Sequence, residues 1–395
     1  MNIKRITYIV GSLLLLSGVY GFANRLFIGE RDVNYGSYVV WGLWVAMYLF
    51  FAGLATGAYM IATLEYLFGL KLFRKTGKAA LWGALVTMPA ALTTIGMDLG
   101  HMERIWKVYL QPYFGSLLAQ MVWGYSLFIG IILLSLWTVQ KRPQAAWIRP
   151  LFALGLVMAI FLSGGVGALL GVNASRAYWH VGLLPAQFPF FSLASGSAFM
   201  LLVLGWFGNR NDERRPQQLS VLGLLTIVLA VVKLYFLWTD FSQSIYGGVP
   251  DNVRAVNAVL FGEYWWTFWI LQIGLGTVVP VIVLLQPKLA KNDLWAGTMG
   301  FLVLLGFGVA RANIVFPALS IPELEGLSTA FQGPHLNFNY FPSLMEWSVV
   351  LGVVGATTLA FLLGNDQLSL LTPKSEPEPG AGRLTKLTPE PEVKQ

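Results

Sequence analysis

The chain has 395 residues, of which 56% are hydrophobic and only 11% are charged, and its formal net charge is +7. A soluble domain carries about 25% charged residues, because its surface needs polar side chains. The composition therefore excludes soluble, disordered and nucleic-acid-binding proteins. The chain contains no Cys, which excludes disulfides, thiolate-bound iron–sulfur clusters and cysteine zinc sites within it.

Ten apolar stretches are long enough to cross a bilayer, which takes about 20 mostly apolar residues per helix. They predict an all-α polytopic membrane protein with spans at about 6–28, 38–66, 79–98, 117–138, 150–172, 188–207, 218–239, 264–286, 294–316 and 343–364. The first stretch follows Lys4 and Arg5, as the apolar part of a signal peptide would. Its apolar run is long and no A-x-A-like cleavage site follows, so we expect it to be retained as a transmembrane helix.

Basic residues are distributed unevenly between the two sets of loops. Of the 26 Lys and Arg residues, 18 lie on the side of the two termini, 6 lie on the opposite side, and Lys233 and Arg311 lie inside spans. The positive-inside rule therefore predicts that both termini are cytoplasmic. The larger loops, rich in Trp, Tyr, Pro and Gly, are on the opposite, outer side at about 99–116, 173–187, 240–263 and 317–342.

An approximate internal repeat divides the spans into two tandem units. Phe50-Phe51 recurs 140 residues later as Phe190-Phe191, and Asp98 at the end of span 3 corresponds to Asp240 at the end of span 7. Four spans per unit make the two units parallel rather than inverted. We therefore predict a first flanking helix and outer loop (1–37), a four-helix bundle (38–187), a second four-helix bundle (188–342), a last flanking helix (343–371) and a disordered cytoplasmic tail (372–395).

The histidines are few and lie outside the span interiors. His101, His180 and His335 are all in outer loops or at outer helix ends. A transmembrane b-type haem usually takes two axial ligands from facing helices, most often His. The positions therefore disfavour a cytochrome b.

Asp98 and His101 are three residues apart at the predicted outer end of span 3. If the helix continues, the two side chains share a face. An acid and an imidazole there would be able to exchange protons with a bound redox carrier. The alternative is an interfacial cap with Glu103 and Arg104 as neighbours, and the sequence leaves both open.

Other ionisable residues lie within spans, where such groups are costly and often functional. Glu65 at the end of span 2 is either a proton carrier or an interfacial residue beside a basic loop.

Lys233 and Asp240 share nearly one face of span 7, with Lys233 about 10 Å deeper. They form either part of a proton route or, for Lys233, a structural ion pair. Arg311 is expected to snorkel to the interface, although its repeat counterpart Arg176 favours a shared role.

A stripe of span 2 combines tyrosines with small residues. Tyr48, Ala52, Ala55 and Tyr59 lie on one face, beside Gly53-x-x-x-Gly57. Small residues permit close helix packing, or they leave a groove for a flat ring. Both interpretations stay open.

Four segments carry patterns that are specific in combination. They are Trp41-Gly42 with Gly53-Leu54-Ala55-Thr56-Gly57-Ala58, Asp98-Leu99-Gly100 with Arg104 and Trp106, Tyr178-Trp179-His180 with Leu184-Pro185 and Phe191, and Tyr340-Phe341-Pro342 with Glu346. In this order they resemble the NrfD/polysulfide-reductase membrane-subunit family, over about residues 38–364. The resemblance is to the longer, ten-helix members, which include membrane subunits of a periplasmic uptake hydrogenase and of sulfur-cycle and cytochrome-linked complexes.

The resemblance implies an integral membrane subunit of a multi-subunit oxidoreductase that binds quinone, menaquinone or ubiquinone, near the periplasmic face. It implies no haem and no metal in this chain, a ferredoxin-like iron–sulfur subunit docked on that face, and a further catalytic subunit of molybdopterin, hydrogenase or multihaem cytochrome c type. It also implies a lipid-embedded position in the bacterial or archaeal cytoplasmic (inner) membrane. The alternatives are a secondary transporter and a passive anchor without its own quinone site.

The resemblance also implies candidate site residues. Tyr48 occupies the position where short members have a quinone-contacting His, and His101 the position where many members have Arg. The quinone-binding candidates are Tyr48, Asp98, His101, Arg104, Arg176 and His180. The proton-transfer candidates are Asp98 and His101, as base and relay, together with Glu65, Lys233 and Asp240.

Overall fold

The computed structural model of the chain describes residues 3–371, except 325, 332 and 369. Ten helices in this part are long and apolar enough to cross a membrane: α1 (Ile3–Phe27), α2 (Leu43–Tyr66), α3 (Gly77–Met97), α4 (Leu117–Lys141), α5 (Ile148–Gly171), α6 (Leu184–Phe207), α7 (Arg215–Gly247), α8 (Thr267–Leu284), α9 (Asp293–Ser320) and α10 (Leu344–Leu368). The described residues contain no β-strand. The prediction of an all-helical, ten-span membrane protein is confirmed. The predicted tail, 372–395, lies outside the described residues.

Shorter helices lie in the connections, at Lys71–Phe73, Met102–Arg104, Lys107–Leu110, Pro250–Leu260, Pro287–Ala290 and Leu327–Ala330. One long helix is irregular: α8 is π-helical over Thr267–Val278 and α-helical over Val279–Leu284. π-Helical segments are rare in proteins, and those that occur are often found at functional sites. We call the side on which α1 ends and α2 begins the outer side, and the opposite side the inner side.

The helices pack as two rings of four. In the first bundle, α2, α3, α4 and α5 each contact the next, and α5 returns to α2. In the second bundle, α6, α7, α8 and α9 do the same, with α9 returning to α6. The bundles meet mainly through α2 and α6, while α1 and α10 pair with each other and α10 packs on α3. The boundaries 38–187 and 188–342 between units stay predictions.

α2 is the central helix, since 89% of its most apolar window is buried inside the protein, against 17% for α1. Glycine makes its contact with α6 possible. A Cβ atom on Gly57 would lie 1.7 Å from the Ser192 carbonyl oxygen, and one on Gly196 would lie 2.2 Å from the Gly57 carbonyl carbon. Of the two interpretations of the span 2 stripe, close helix packing is therefore the one that this geometry matches.

Three helix ends differ from their predicted positions, and each difference changes where a candidate residue lies relative to its helix. α3 ends at Met97, before Asp98. α7 continues to Gly247, and α9 continues to Ser320. Asp240 and Arg311 therefore lie within their helices, Arg311 about 13 Å from the end of α9 at 1.5 Å per residue.

Candidate functional site

Asp98 directly follows α3 on the outer side and is held in place through Arg25 of α1. The Arg25 guanidinium donates from Nε to the Met97 carbonyl (2.6 Å) and from Nη2 to the Leu99 carbonyl (2.7 Å) and Glu30 (2.9 Å). The last carbonyls of a helix have no partner within it, and a cation at the C-terminus satisfies them favourably. Arg25 thus fixes the backbone on both sides of Asp98.

The Asp98 carboxyl is shielded and incompletely bonded. Its Oδ1 is buried, and no described residue offers it a hydrogen bond. Burial raises the pKa of Asp98 well above its usual range, the negative charges of Glu30 and Glu346 raise it further, and Arg25 opposes them. A buried acceptor without a partner is costly, and a strongly perturbed acid in such a place is a candidate for function.

Glu346 is a buried carboxylate that ties α10 to the entry of α2. It is 0% exposed. Its Oε1 accepts from the backbone N–H of Asn34 (2.9 Å) and Ser343 (3.2 Å), and its Oε2 accepts from the Leu43 N–H (3.3 Å) and the Tyr340 hydroxyl. The sequence motif contained Tyr340 and Glu346 but gave no signal of the contacts with Asn34 and Leu43, since these donors lie about 300 residues away in the α1–α2 connection and at the start of α2.

His101 does not share a helical face with Asp98, because α3 ends before both residues. Asp98 and Gly100 are weak helix formers, and the chain turns away there. His101 is exposed, with Nδ1 3.0 Å from Glu103 Oε1, and Arg104 lies 3.5 Å from the same Glu103 oxygen. The condition for a shared face is therefore not met, and the arrangement matches the interfacial alternative.

Tyr48 lies inside the first bundle and bonds to a residue that the sequence did not single out. The hydroxyl oxygens of Tyr48 and Tyr125, on α2 and α4, are 2.7 Å apart, and both side chains are buried. About three turns further along α2, Tyr59 bonds to Ser135 of α4 at 3.2 Å. No motif marked Tyr125, because its pairing with Tyr48 depends on how two helices pack.

Arg176 and His180 lie in the connection between α5 and α6 and brace it. Arg176 pairs with Glu323 (2.9 Å) and donates to the Ile321 carbonyl (2.9 Å) beyond α9, while His180 Nδ1 lies 2.8 Å from the Gly171 carbonyl. Within the described part of the chain, no side-chain hydrogen bond or ion pair joins any two of the six predicted quinone-binding residues. They are spread over the outer end of α3, the first bundle and the α5–α6 connection.

Glu65 lies at the inner end of α2 and closes the following loop. Its carboxylate accepts from the backbone N–H of Lys75 (2.9 Å) and Gly77 (2.7 Å). Lys75 has a left-handed backbone (φ 79°), which these bonds help to hold. The contacts match the interfacial interpretation of Glu65.

Lys233, Asp240 and Arg311 line one cavity in the second bundle, with a volume of about 40 Å³. Asp240 accepts from Gln187 at 2.6 Å. Lys233 forms no ion pair with a carboxylate among the described residues, so the structural pair predicted for it is absent there. Arg311 is 2% exposed and its guanidinium packs against the Phe188 ring inside the bundle, so the expectation that it snorkels to the interface is wrong. Its surroundings also differ from those of Arg176.

Fold and site together define a class: a multi-pass helical membrane protein of two four-helix bundles, with buried acidic and tyrosine groups towards one side. No group of three or more His, Asp or Glu side chains that could hold a metal ion occurs in the part of the chain that is described. The chain belongs to the polysulphide reductase NrfD family, whose family model matches residues 33–323. The family resemblance is thereby confirmed. Three of the four sequence segments lie within the matched residues, and the fourth, at Tyr340-Phe341-Pro342 with Glu346, lies beyond them.

Similar proteins are named as parts of redox enzymes and align over most of their length. A selenate reductase subunit of Mesobacillus selenatarsenatis is 30% identical over 399 residues, covering 91% of this chain and 92% of the relative. The Hdr-like menaquinol oxidoreductase integral membrane subunit of Archaeoglobus fulgidus is 26% identical and covers 86% and 87%. A polysulfide reductase chain of Wolinella succinogenes is 28% identical and covers 62% and 83%.

Proposed function

We propose that this chain is the quinone-reactive membrane subunit of an oxidoreductase complex, exchanging electrons between the quinone pool and an iron–sulfur partner docked on its outer side. Relatives named as subunits of a selenate reductase and a menaquinol oxidoreductase support a multi-subunit complex with a further catalytic subunit, and the second name favours menaquinone. Because the chain has no Cys, a thiolate-bound cluster has to come from a partner.

The proposal rests on Asp98 Oδ1, which is buried and has no hydrogen-bond partner among the described residues. A carboxylate oxygen in that state accepts a hydrogen bond from any hydroxyl brought within reach, and a quinol presents two hydroxyls. This supports Asp98 as a contact for the reduced form of a quinone. Tyr48, one helix away and about 8 Å below the outer end of α2, offers a phenol as a second hydrogen-bonding group.

Oxidation of a quinol held there would pass two electrons to the iron–sulfur partner and release two protons, one to Asp98 and the other to solvent on the outer side. Asp98 accepts one proton at its carboxylate, since a raised pKa makes it a better base near neutral pH than an ordinary Asp. Arg25 orients that carboxylate through the carbonyls of Met97 and Leu99. Glu346 keeps the adjoining ends of α2 and α10 together, so that the shielding around Asp98 persists.

The remaining assignments are part of the same proposal. The distribution of basic residues supports a cytoplasmic location for both termini, which makes the outer side periplasmic in an inner membrane. Quinone contacts of His101, Arg104, Arg176 and His180 stay predictions, as do the proton-transfer roles of His101, Glu65, Lys233 and Asp240.

The test is quinol turnover by the purified complex. Asp98→Asn is expected to lower turnover at least about 100-fold, the usual range for loss of a positioned base, with assembly intact. Asp366→Asn is the matched control, because Asp366 is exposed at the inner end of α10, where it pairs with Lys4 far from Asp98. Equal turnover in the two variants would remove Asp98 from the site. A chain that purifies without redox partners and moves solute in liposomes would contradict the proposed function itself.

A further inference from the structure

The cavity in the second bundle has an unusual charge balance. It lies among α6, α7, α8 and α9, and its volume is about 40 Å³. At about 10–15 Å³ per water molecule, it has room for about three waters. A space of this size suits a small ion.

Arg311 is buried at this cavity without a counter-ion. Its guanidinium carbon lies 4.0 Å from the centre of the Phe188 ring and 5.7 Å from that of Phe191. Its Nη1 is buried and has no hydrogen-bond partner among the described residues. A guanidinium stacked on rings retains its charge and still requires acceptors for its N–H groups.

Lys233 brings a second cation to the same cavity. Its Nζ lies 4.8 Å from the centre of the Phe307 ring and 3.5 Å from Thr277 Oγ1. The Phe307 and Phe191 rings are 6.2 Å apart, so the two cations share one aromatic lining. Lys233 is 3% exposed.

The carboxylate that lines the cavity does not pair with either cation. Asp240 instead accepts from Gln187 at 2.6 Å, and its Oδ1 has no partner among the described residues. Asp240 is about 10 Å further along α7 than Lys233. Two buried cations without a paired anion carry a large desolvation cost.

A polar network on α8 and α9 completes the wall. Asn313 donates to Gln272 Oε1 at 2.8 Å and accepts from Thr267 at 2.8 Å. Gln272 belongs to the π-helical part of α8, and the bond from Asn313 occupies its amide oxygen and leaves its NH₂ group as a donor. The polar lining of the cavity therefore combines two cations and the Gln272 NH₂ donor with one carboxylate, that of Asp240.

We infer that this cavity binds one small monovalent anion, such as chloride, between Arg311 and Lys233. The anion neutralises part of the buried charge and accepts from the free Nη1 of Arg311. The inference does not rest on quinone chemistry, since the residues of this site lie in the other bundle from Tyr48 and Asp98.

The experiment is equilibrium binding of radioactive chloride to the purified complex, with gluconate as the replacing anion. The wild-type complex is expected to bind about one chloride per copy of this chain, and to unfold at a higher temperature in chloride than in gluconate. Arg311→Met and Lys233→Met are each expected to lose about tenfold or more in chloride affinity, because each removes a charge-assisted contact.

Asp240→Asn is the matched control, since it changes a charged residue of the same cavity without removing a cation. Its chloride affinity is expected to equal or exceed that of wild type. If Arg311→Met fails to assemble, bromide exchange into wild-type crystals locates the ion by its anomalous scattering, and Arg311→Lys is expected to retain binding. Absence of bound chloride in the wild type, equal affinity in Arg311→Met, or quinone density in the cavity would each overturn the inference.

Discussion

The hydroxyl oxygens of Tyr48 and Tyr125 lie 2.7 Å apart across a buried contact between α2 and α4. Neither side chain is more than 4% exposed. Each hydroxyl is therefore the other's partner in a place that water does not reach freely.

Replacing both tyrosines is expected to destabilise the chain by less than the sum of the two single replacements. Tyr48→Phe or Tyr125→Phe leaves one buried hydroxyl without its partner, at a cost of about 1–3 kcal/mol. The double variant removes both polar groups, so the two effects overlap by about 0.5–3 kcal/mol. A double-mutant cycle on the unfolding free energy in mixed micelles measures the overlap, and simple additivity would show that the pair is not coupled.

Glu346→Gln is expected to loosen the junction of α2 and α10. An amide has one acceptor oxygen, so two of the donors that now face Glu346 would meet an NH₂ group instead. Losing two bonds to a charged acceptor destabilises by about 3 kcal/mol. The measurement is again the unfolding free energy. Glu263→Gln, at an exposed position, should change it by less than about 0.5 kcal/mol, and equal effects in the two variants would contradict the buried role.

Asp98 makes stability depend on pH in a defined direction. Its pKa is raised in the folded chain, chiefly by burial, so the folded state keeps this proton to a higher pH than the unfolded state does. Stability from Asp98 is therefore complete below the ordinary Asp pKa and is lost as pH rises through the raised value.

Asp98→Asn should remove this part of the pH dependence. The difference in thermal unfolding midpoint, variant minus wild type, is expected to increase from pH 5 to pH 8. The quinol turnover of the variant is expected to be below that of wild type. A constant difference in midpoint would mean that Asp98 titrates normally.

Glu65→Gln separates an interfacial role from proton transfer. One of the two backbone N–H donors, from Lys75 or Gly77, would lose its acceptor, so stability is expected to fall by about 1–2 kcal/mol. Quinol turnover and proton release in proteoliposomes should stay at the wild-type level. A drop in proton release at unchanged stability would instead favour the proton-carrier alternative.

The fold class followed from the sequence because hydropathy is a local property. A run of about 20 apolar residues has to be helical in a bilayer, and this predicted ten spans that the structure contains. Helix ends were less predictable. The sequence predicts that Asp98, Asp240 and Arg311 each lie at a helix end, yet α3 stops before Asp98, and α7 and α9 continue past the other two.

The candidate site was predicted only in part, because its contacts join residues distant in sequence. Asp98 was identified from its position and motif, but Arg25, which holds the backbone around it, is 72 and 74 residues from the carbonyls that it binds. Glu346 and Asn34 are 312 residues apart. No periodicity in a single sequence reports such pairs.

By itself the sequence determined that this protein is a ten-span membrane protein with its basic residues concentrated on one side, since composition, span length and charge distribution act residue by residue. Only the tertiary structure decided which polar side chains are partnered. Among the described residues, Asp98 Oδ1 at the outer end of the first bundle and Arg311 Nη1 inside the second bundle have no hydrogen-bond partner. The physical reason is that the cost of a buried charge depends on neighbours contributed by other helices, and packing alone chooses those neighbours.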